Sequence, residues 1–267
     1  MSRNPRFVAA AAPNDLLAEQ LRTLGLYVMA ERYRELADEA TRTRSPYTHY
    51  LNALVSAQLQ ARMDRSCRDR LARARFPSIK TVEEFNFAFQ PTLDERLVRT
   101  LADLQFVADR QNVLFVGPPG VGKTHLAIAL GVRACSERKR VALFSVCDLM
   151  DQLALAQASG LLPQRLLELS KTNLLILDEL GYLALDALRA NLFFQVVSRL
   201  YEKGSIVLTT NRRFETWGEI FAGDSVIAAA VLDRLLHHRH IVAINGPSYR
   251  TPDLTVPARP EPSNPVA

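Results

Sequence analysis

The stretch NVLFVGPPGVGKTHLAIALGVRA, residues 112–134, decides the fold. Asn112–Val116 read as a buried strand, and Gly117 to Thr124 fit the pattern G-x-x-x-x-G-K-[ST]. The residues after it have a helical pattern. Gly117, Gly120 and Gly122 let the backbone turn tightly and aim its N–H groups inward at phosphate oxygens. The helix N-terminus at Lys123–Thr124 adds a dipole that favours anions. Lys123 can then reach the β and γ phosphates, and the Thr124 hydroxyl can bind magnesium. Pro118, Pro119, Val121 and His125 complete the nucleotide-binding segment. A plain Gly-Pro turn is the competing reading, and the strand before and helix after it argue against that.

Outward from this loop, short apolar runs alternate with helical patterns. The strands expected are Asn112–Val116, Arg140–Ser145, Asn173–Leu177, Ser205–Thr210 and His240–Ile244, with helices near 124–137, 148–157, 163–170, 187–202 and 226–238. Such alternation predicts an α/β domain with five parallel strands covered on both faces.

Four apolar residues, Leu174–Leu177, deliver Asp178 and Glu179. A carboxylate at the end of a buried strand is the second half of a magnesium site, so Asp178 is expected to hold the metal through water opposite Thr124. Glu179 is placed to polarise a water for attack on the γ phosphate. Asn211 follows the strand SIVLTT, at the strand edge where open α/β sheets bind ligands. It is read as orienting that water, with a turn asparagine as the alternative. Arg234 and Arg250 are either surface ion pairs or charges on the γ phosphate, one supplied by a neighbouring subunit and one in cis. His237, His238 and His240 are read as closing the helix end, where positive charge suits the dipole. A metal site there would need a carboxylate companion, which the pattern does not show.

Before the loop the chain reads as helical and basic. Residues 1–89 carry 14 Lys+Arg against 10 Asp+Glu, so most of the +5 net charge lies there. One helix is expected from Asp15 through DLLAEQLRTLGLYVMAERYRELADEA, capped by Asn14 or Asp15, with Leu17, Leu21, Leu24, Val28 and Met29 as its apolar face. A second starts with Ser45 as N-cap and Pro46 at the first helical position, and ends near Pro77. Its apolar stripe is Leu51, Leu54, Val55, Leu59 and Met63, and Arg62, Arg65, Arg68, Arg70, Arg73 and Arg75 crowd its later turns. Those arginines suit a duplex backbone, with a solvated basic helix as the alternative. Phe76, Phe85, Phe87 and Phe89 predict a linker packed on the next domain, followed by a helix from Thr92 or Asp94 to about Val107.

The chain has 267 residues, 48% apolar and 23% charged, which is globular composition. No apolar run approaches the roughly 18 residues of a membrane helix, and Val8–Ala12 is too short for a secretory leader, so a cytoplasmic protein is expected. Cys67, Cys135 and Cys147 have no metal or disulfide spacing and read as packing residues. The end, with five prolines in residues 252–267, is expected to be a disordered tail.

Taken together, GPPGVGKTHLAIALG, LLILDELGYL, LTTNRRFETWGEIF, LLDRLLHHRH and SYR resemble the IstB-like ATPases, as do the N-terminal LRTLGLYVMAERYRELADEA and the linker. These are AAA+ proteins that help an insertion-sequence transposase and are related to DnaC-type helicase loaders. The resemblance covers nearly the whole chain and stops near Arg250, where the proline-rich tail departs from the family pattern. It implies an AAA+ type P-loop domain of three α/β/α layers over 112–251, preceded by a helical basic domain over 1–76 and a linker over 77–111. It implies ATP and Mg2+ as cofactors, hydrolysis of ATP, a homo-oligomer on duplex DNA, and a cognate transposase as partner. Asn211 matches the sensor position, Arg234 the arginine finger that completes a neighbour's site, and Arg250 the second sensor. A helicase loader, a P-loop small-molecule kinase and a nucleotide-gated binding module with negligible turnover are the alternatives. The adjacent Glu179 argues against a kinase, because a poised water competes with an acceptor hydroxyl.

Overall fold

The computed structural model describes residues 13–250, with side chains from residue 16 onward. The apolar run Val8–Ala12 and the expected proline-rich tail lie outside the described residues. Contacts divide the chain into two units, Met1–Asp69 and Arg70–Ala267.

The first unit is built on α1 (Pro13–Thr23), α2 (Tyr27–Thr43) and the start of α3 (Tyr47–Ala74), which runs on past residue 69. The single helix expected from Asp15 is therefore two. Gly25 adopts φ +74°, Leu26 N–H donates to the Leu21 carbonyl at 2.8 Å, and Gly25 N–H donates to Arg22 at 2.9 Å. That pair of bonds is the left-handed glycine stop of a helix, in which a residue with a Cβ is strained. The backbone is already helical at Pro13, so Asn14 and Asp15 lie inside α1 rather than at its cap. No side chain of its own caps α2; Gln58 Oε1 of α3 accepts from Val28 N–H at 3.0 Å and Met29 N–H at 3.2 Å instead.

Two further expectations shift on α3. Tyr47 is its first residue, Pro46 supplies the carbonyl that Tyr50 N–H meets, and Ser45 Oγ pairs with Thr43 Oγ1 instead of capping. Of the expected apolar stripe only Leu54 is buried, with Ala18 and Tyr33; Leu51, Val55, Leu59 and Met63 are exposed. The inward face is instead buried Leu54 with half-buried Tyr50 and Gln58 four residues to either side, where residues of α1 and α2 pack.

In the second unit come α4 (Glu95–Ala102), α5 (Gln105–Ala108), β1 (Asn112–Val116), α6 (Lys123–Ser136), β2 (Val141–Ser145) and α7 (Val146–Ala158). Then follow α8 (Leu162–Leu169), β3 (Leu174–Leu180), α9 (Ala187–Leu200), β4 (Ser205–Thr210), α10 (Trp217–Ile220), α11 (Ser225–Leu236) and β5 (Arg239–Ala243). Asp94 caps α4, accepting from Arg96 and Leu97 N–H, whereas Thr92 Oγ1 donates to the Asn245 carbonyl. Leu104, at φ +62°, breaks the helix expected to reach Val107 into α4 and α5.

The five strands form one parallel sheet in the order β2-β3-β4-β1-β5. Alternation along the strands sends Leu114, Leu175, Leu177, Ile206 and Leu208 to one core with α7, α9, α10 and α11. It sends Val113, Phe115, Leu174, Ile176, Val207 and Val242 to the other, with α4, α5, α6 and the linker residues Val82 and Phe85. The period of two in the strands thus produces the three layers. Each large side chain buried this way contributes about 1.5–3 kcal/mol. The linker is packed as its phenylalanines predict.

Candidate nucleotide site

The site forms where β1, β3 and β4 end and α6 begins. Gly117–Gly122 joins Val116 to Lys123, and Gly122, at φ +98°, precedes the first turn of α6. Gly120 has φ +82°, and a Cβ there would stand 2.1 Å from Ser248 Oγ; Tyr249 N–H donates to its carbonyl at 2.9 Å. The segment carrying Arg250 therefore lies directly on the loop, an approach only glycine permits.

Lys123 Nζ donates to the carbonyls of Gly117 at 2.8 Å and Pro118 at 2.7 Å. Burial pushes its ammonium down to about 8; Asp178 opposes this, Arg250 adds to it and Glu179 opposes it. Next in the chain, Thr124 Oγ1 donates to Asp178 Oδ1 at 3.0 Å. Thr209 Oγ1, from the strand between, also donates to Asp178 Oδ1, and accepts from Glu179 N–H at 2.9 Å.

β3 runs three residues further than expected, to Leu180, and its pairing with β4 is irregular between Leu177 and Leu180. Glu179 sits in that irregularity at φ +65°, with its carboxylate exposed. A non-glycine residue in this left-handed region costs of order 1 kcal/mol or more and recurs at functional sites. One small cleft is lined by Pro119, Lys123, Thr124, Glu179, Asn211 and Arg250. A wider one of about 660 Å³ continues from Lys123 and Arg250 toward Phe85, His125 and Tyr249. A hydroxyl and a carboxylate side by side are hard oxygen donors, the set magnesium takes when it keeps most of its waters.

The remaining expected residues divide. Val121 is fully buried in the core, so only its backbone is available to a ligand. His125 Nε2 lies 2.9 Å from the Thr81 carbonyl and its ring meets the edge of Phe85, tying α6 to the linker. Arg234 is not brought to this site. Its Nη1 donates to the Ala230 carbonyl at 2.9 Å and its guanidinium lies 4.8 Å over Phe194. It lines a separate cavity with Asn112, the residue at the opposite end of β1 from the loop. Arg70, grouped with the basic cluster, donates from Nε to the Cys135 carbonyl at 2.8 Å, which gives it a packing role. Arg62, Arg65 and Arg68 are exposed.

Thr209 was not singled out from the sequence; a hydroxyl in the otherwise apolar run SIVLTT was its only signal. Tyr249 was likewise missed. It packs on Phe85 and Phe89, and its hydroxyl donates to the Asn86 carbonyl at 2.7 Å.

Comparison with known proteins identifies the family. The model of the family described as IstB-like ATP binding protein matches residues 19–254. A protein of insertion sequence IS5376 from Geobacillus stearothermophilus, named for ATP binding, is 42% identical over 87% of this chain and 92% of its own. The corresponding protein of insertion sequence IS21 from Pseudomonas aeruginosa is 46% identical over 80% of this chain and 81% of its own. Among solved structures, AMPPCP-bound DnaA from Aquifex aeolicus has a TM-score of 0.51 at 22% identity, over 61% of this chain and 49% of that one, a likeness of fold alone. With its parallel five-stranded sheet, its glycine-rich loop and these relatives, the chain belongs to the IstB-like ATP-binding family.

Proposed function

We propose that this protein is a magnesium-dependent ATPase that assembles as a homo-oligomer on duplex DNA and assists a transposase in insertion-sequence transposition. The observation that carries the reading is the Thr124–Asp178–Thr209–Glu179 constellation at the mouth of the glycine-rich loop. When bound, magnesium would be held by Thr124 and Asp178 and would neutralise charge on the phosphates. Lys123 leaves its carbonyl partners for the phosphate oxygens, and the backbone N–H groups of Gly120 to Thr124 cradle them. Glu179 takes the proton of the attacking water, which Asn211 helps to orient. Arg250 acts on the same chain's γ phosphate, and Arg234 on a neighbour's.

The relatives' insertion-sequence origin supports the transposase as partner. Exposed Arg62, Arg65 and Arg68 support a phosphate-backbone contact by the helical N-terminal part, without base reading. Such work places the protein in the cytoplasm with the DNA. Glu179→Gln tests the core of this reading: ATP binding stays within a few fold while hydrolysis falls by about 10²–10⁴. Wild-type turnover in that variant overturns the water-activating role. Sizing the protein with ATP and duplex DNA, separately and together, tests assembly. Capture of a replicative helicase in preference to a cognate transposase would replace the partner assignment with that of a loader.

A further inference from the structure

Away from the nucleotide site, the fold supplies the carboxylate that the histidine run lacks in sequence. Glu202 lies in the turn after α9, and His237 and His238 directly follow α11. One ligand atom from each of these exposed side chains lies within 4.8 Å of the other two. Their backbone settings are well defined. Glu202 has φ +58°, and Arg110 Nη1 donates to its carbonyl at 2.8 Å. The two imidazole rings are 4.1 Å apart between centroids, and the Tyr201 hydroxyl stands 2.9 Å from His237 Nδ1.

We propose that Glu202, His237 and His238 form a binding site for a divalent transition-metal ion, with zinc as the best-matched one. Two imidazoles and a carboxylate are a donor set zinc accepts at about 2.0–2.2 Å, which in a tetrahedron puts donors about 3.4 Å apart. The three side chains are exposed, so the remaining approach from 4.8 Å falls on groups that face solvent. Magnesium and calcium prefer all-oxygen sets, so the imidazoles discriminate against them. Tyr201 holds the His237 ring, and outer partners of this kind reduce the ordering a ligand must undergo. Three protein donors leave a fourth position for water. The ion would clamp the turn after α9 to the end of α11, the helix that carries Arg234. None of this depends on how the chain uses ATP.

The test is zinc titration of tag-free, full-length protein in excess magnesium, which fills oxygen-only sites. One zinc per chain is expected, with cobalt giving the visible bands of a tetrahedral site. Tyr201→Phe should lower affinity about tenfold, and His237→Ala, His238→Ala and Glu202→Gln should each lower it further. Zinc should raise the thermal midpoint of the wild type and leave that of the His237→Ala/His238→Ala double variant unchanged. Absence of uptake, half an ion per chain, or uptake that survives the double variant would overturn the site.

Discussion

Thr124, in the first turn of α6, and Asp178, on β3, meet through a 3.0 Å hydrogen bond although β3 and the strand that leads into α6, β1, are not neighbours. β4 lies between β1 and β3, and its Thr209 completes the contact by donating to the same carboxylate oxygen. The sheet order therefore sets the distance between the glycine-rich loop and the acidic pair. Thr209 also receives the Glu179 N–H, so one buried hydroxyl orients both carboxylate residues.

Thr209→Val keeps the shape and removes both bonds. Leaving Asp178 and the Glu179 N–H without this partner should cost about 1–3 kcal/mol of stability. Denaturant unfolding would measure that, and hydrolysis should fall at least tenfold while ATP affinity changes less. A variant with wild-type turnover would remove Thr209 from the site's architecture.

Lys123 carries a pH signature. Its value in the fold, about 8, lies below the ordinary 10.5, so between those values the unfolded chain binds more protons. The unliganded protein should gain stability from this group as pH rises through that window. Bound phosphates favour the ammonium, so ATP binding near pH 9 should take up a proton. Calorimetry in buffers of different ionisation enthalpy would detect it. Lys123→Arg, always charged, should show no such uptake from this position.

Arg234 lies apart from its own chain's loop, so Arg234→Ala should spare ATP affinity. Turnover should fall by about 10³ or more if the guanidinium serves a neighbour. Mixing it with Lys123→Ala should restore part of the activity, because one chain supplies the loop and the other the arginine. No recovery at any ratio would count against action between subunits.

Changing Arg62, Arg65 and Arg68 together to Ala should weaken duplex binding and flatten its salt dependence. About three lost phosphate contacts reduce the log–log slope by roughly 2.7. A slope equal to that of the wild type would take this helix out of the contact.

Much of the second unit was legible in its sequence because its signals are local. The strand before Gly117, the helix after Lys123 and the apolar run into Asp178 each follow from neighbouring residues. Boundaries failed where a single backbone angle decides them. Gly25 divides the first expected helix and Leu104 the third, and a left-handed residue interrupts a helix without disturbing the hydrophobic pattern around it. The stripe Leu51, Val55, Leu59 and Met63 failed for another reason: periodicity shows which residues share a face, not which face a neighbour covers.

By itself, the sequence determined that a glycine-rich loop stands between a strand and a helix, and that an acidic pair closes a later strand. Local backbone chemistry suffices for both. Only the tertiary structure decided that Thr209 sits between them, that Arg234 is absent from its own chain's site, and that Glu202 joins His237 and His238. Those relations depend on strand order and helix packing, which bring together residues that no spacing along the chain connects.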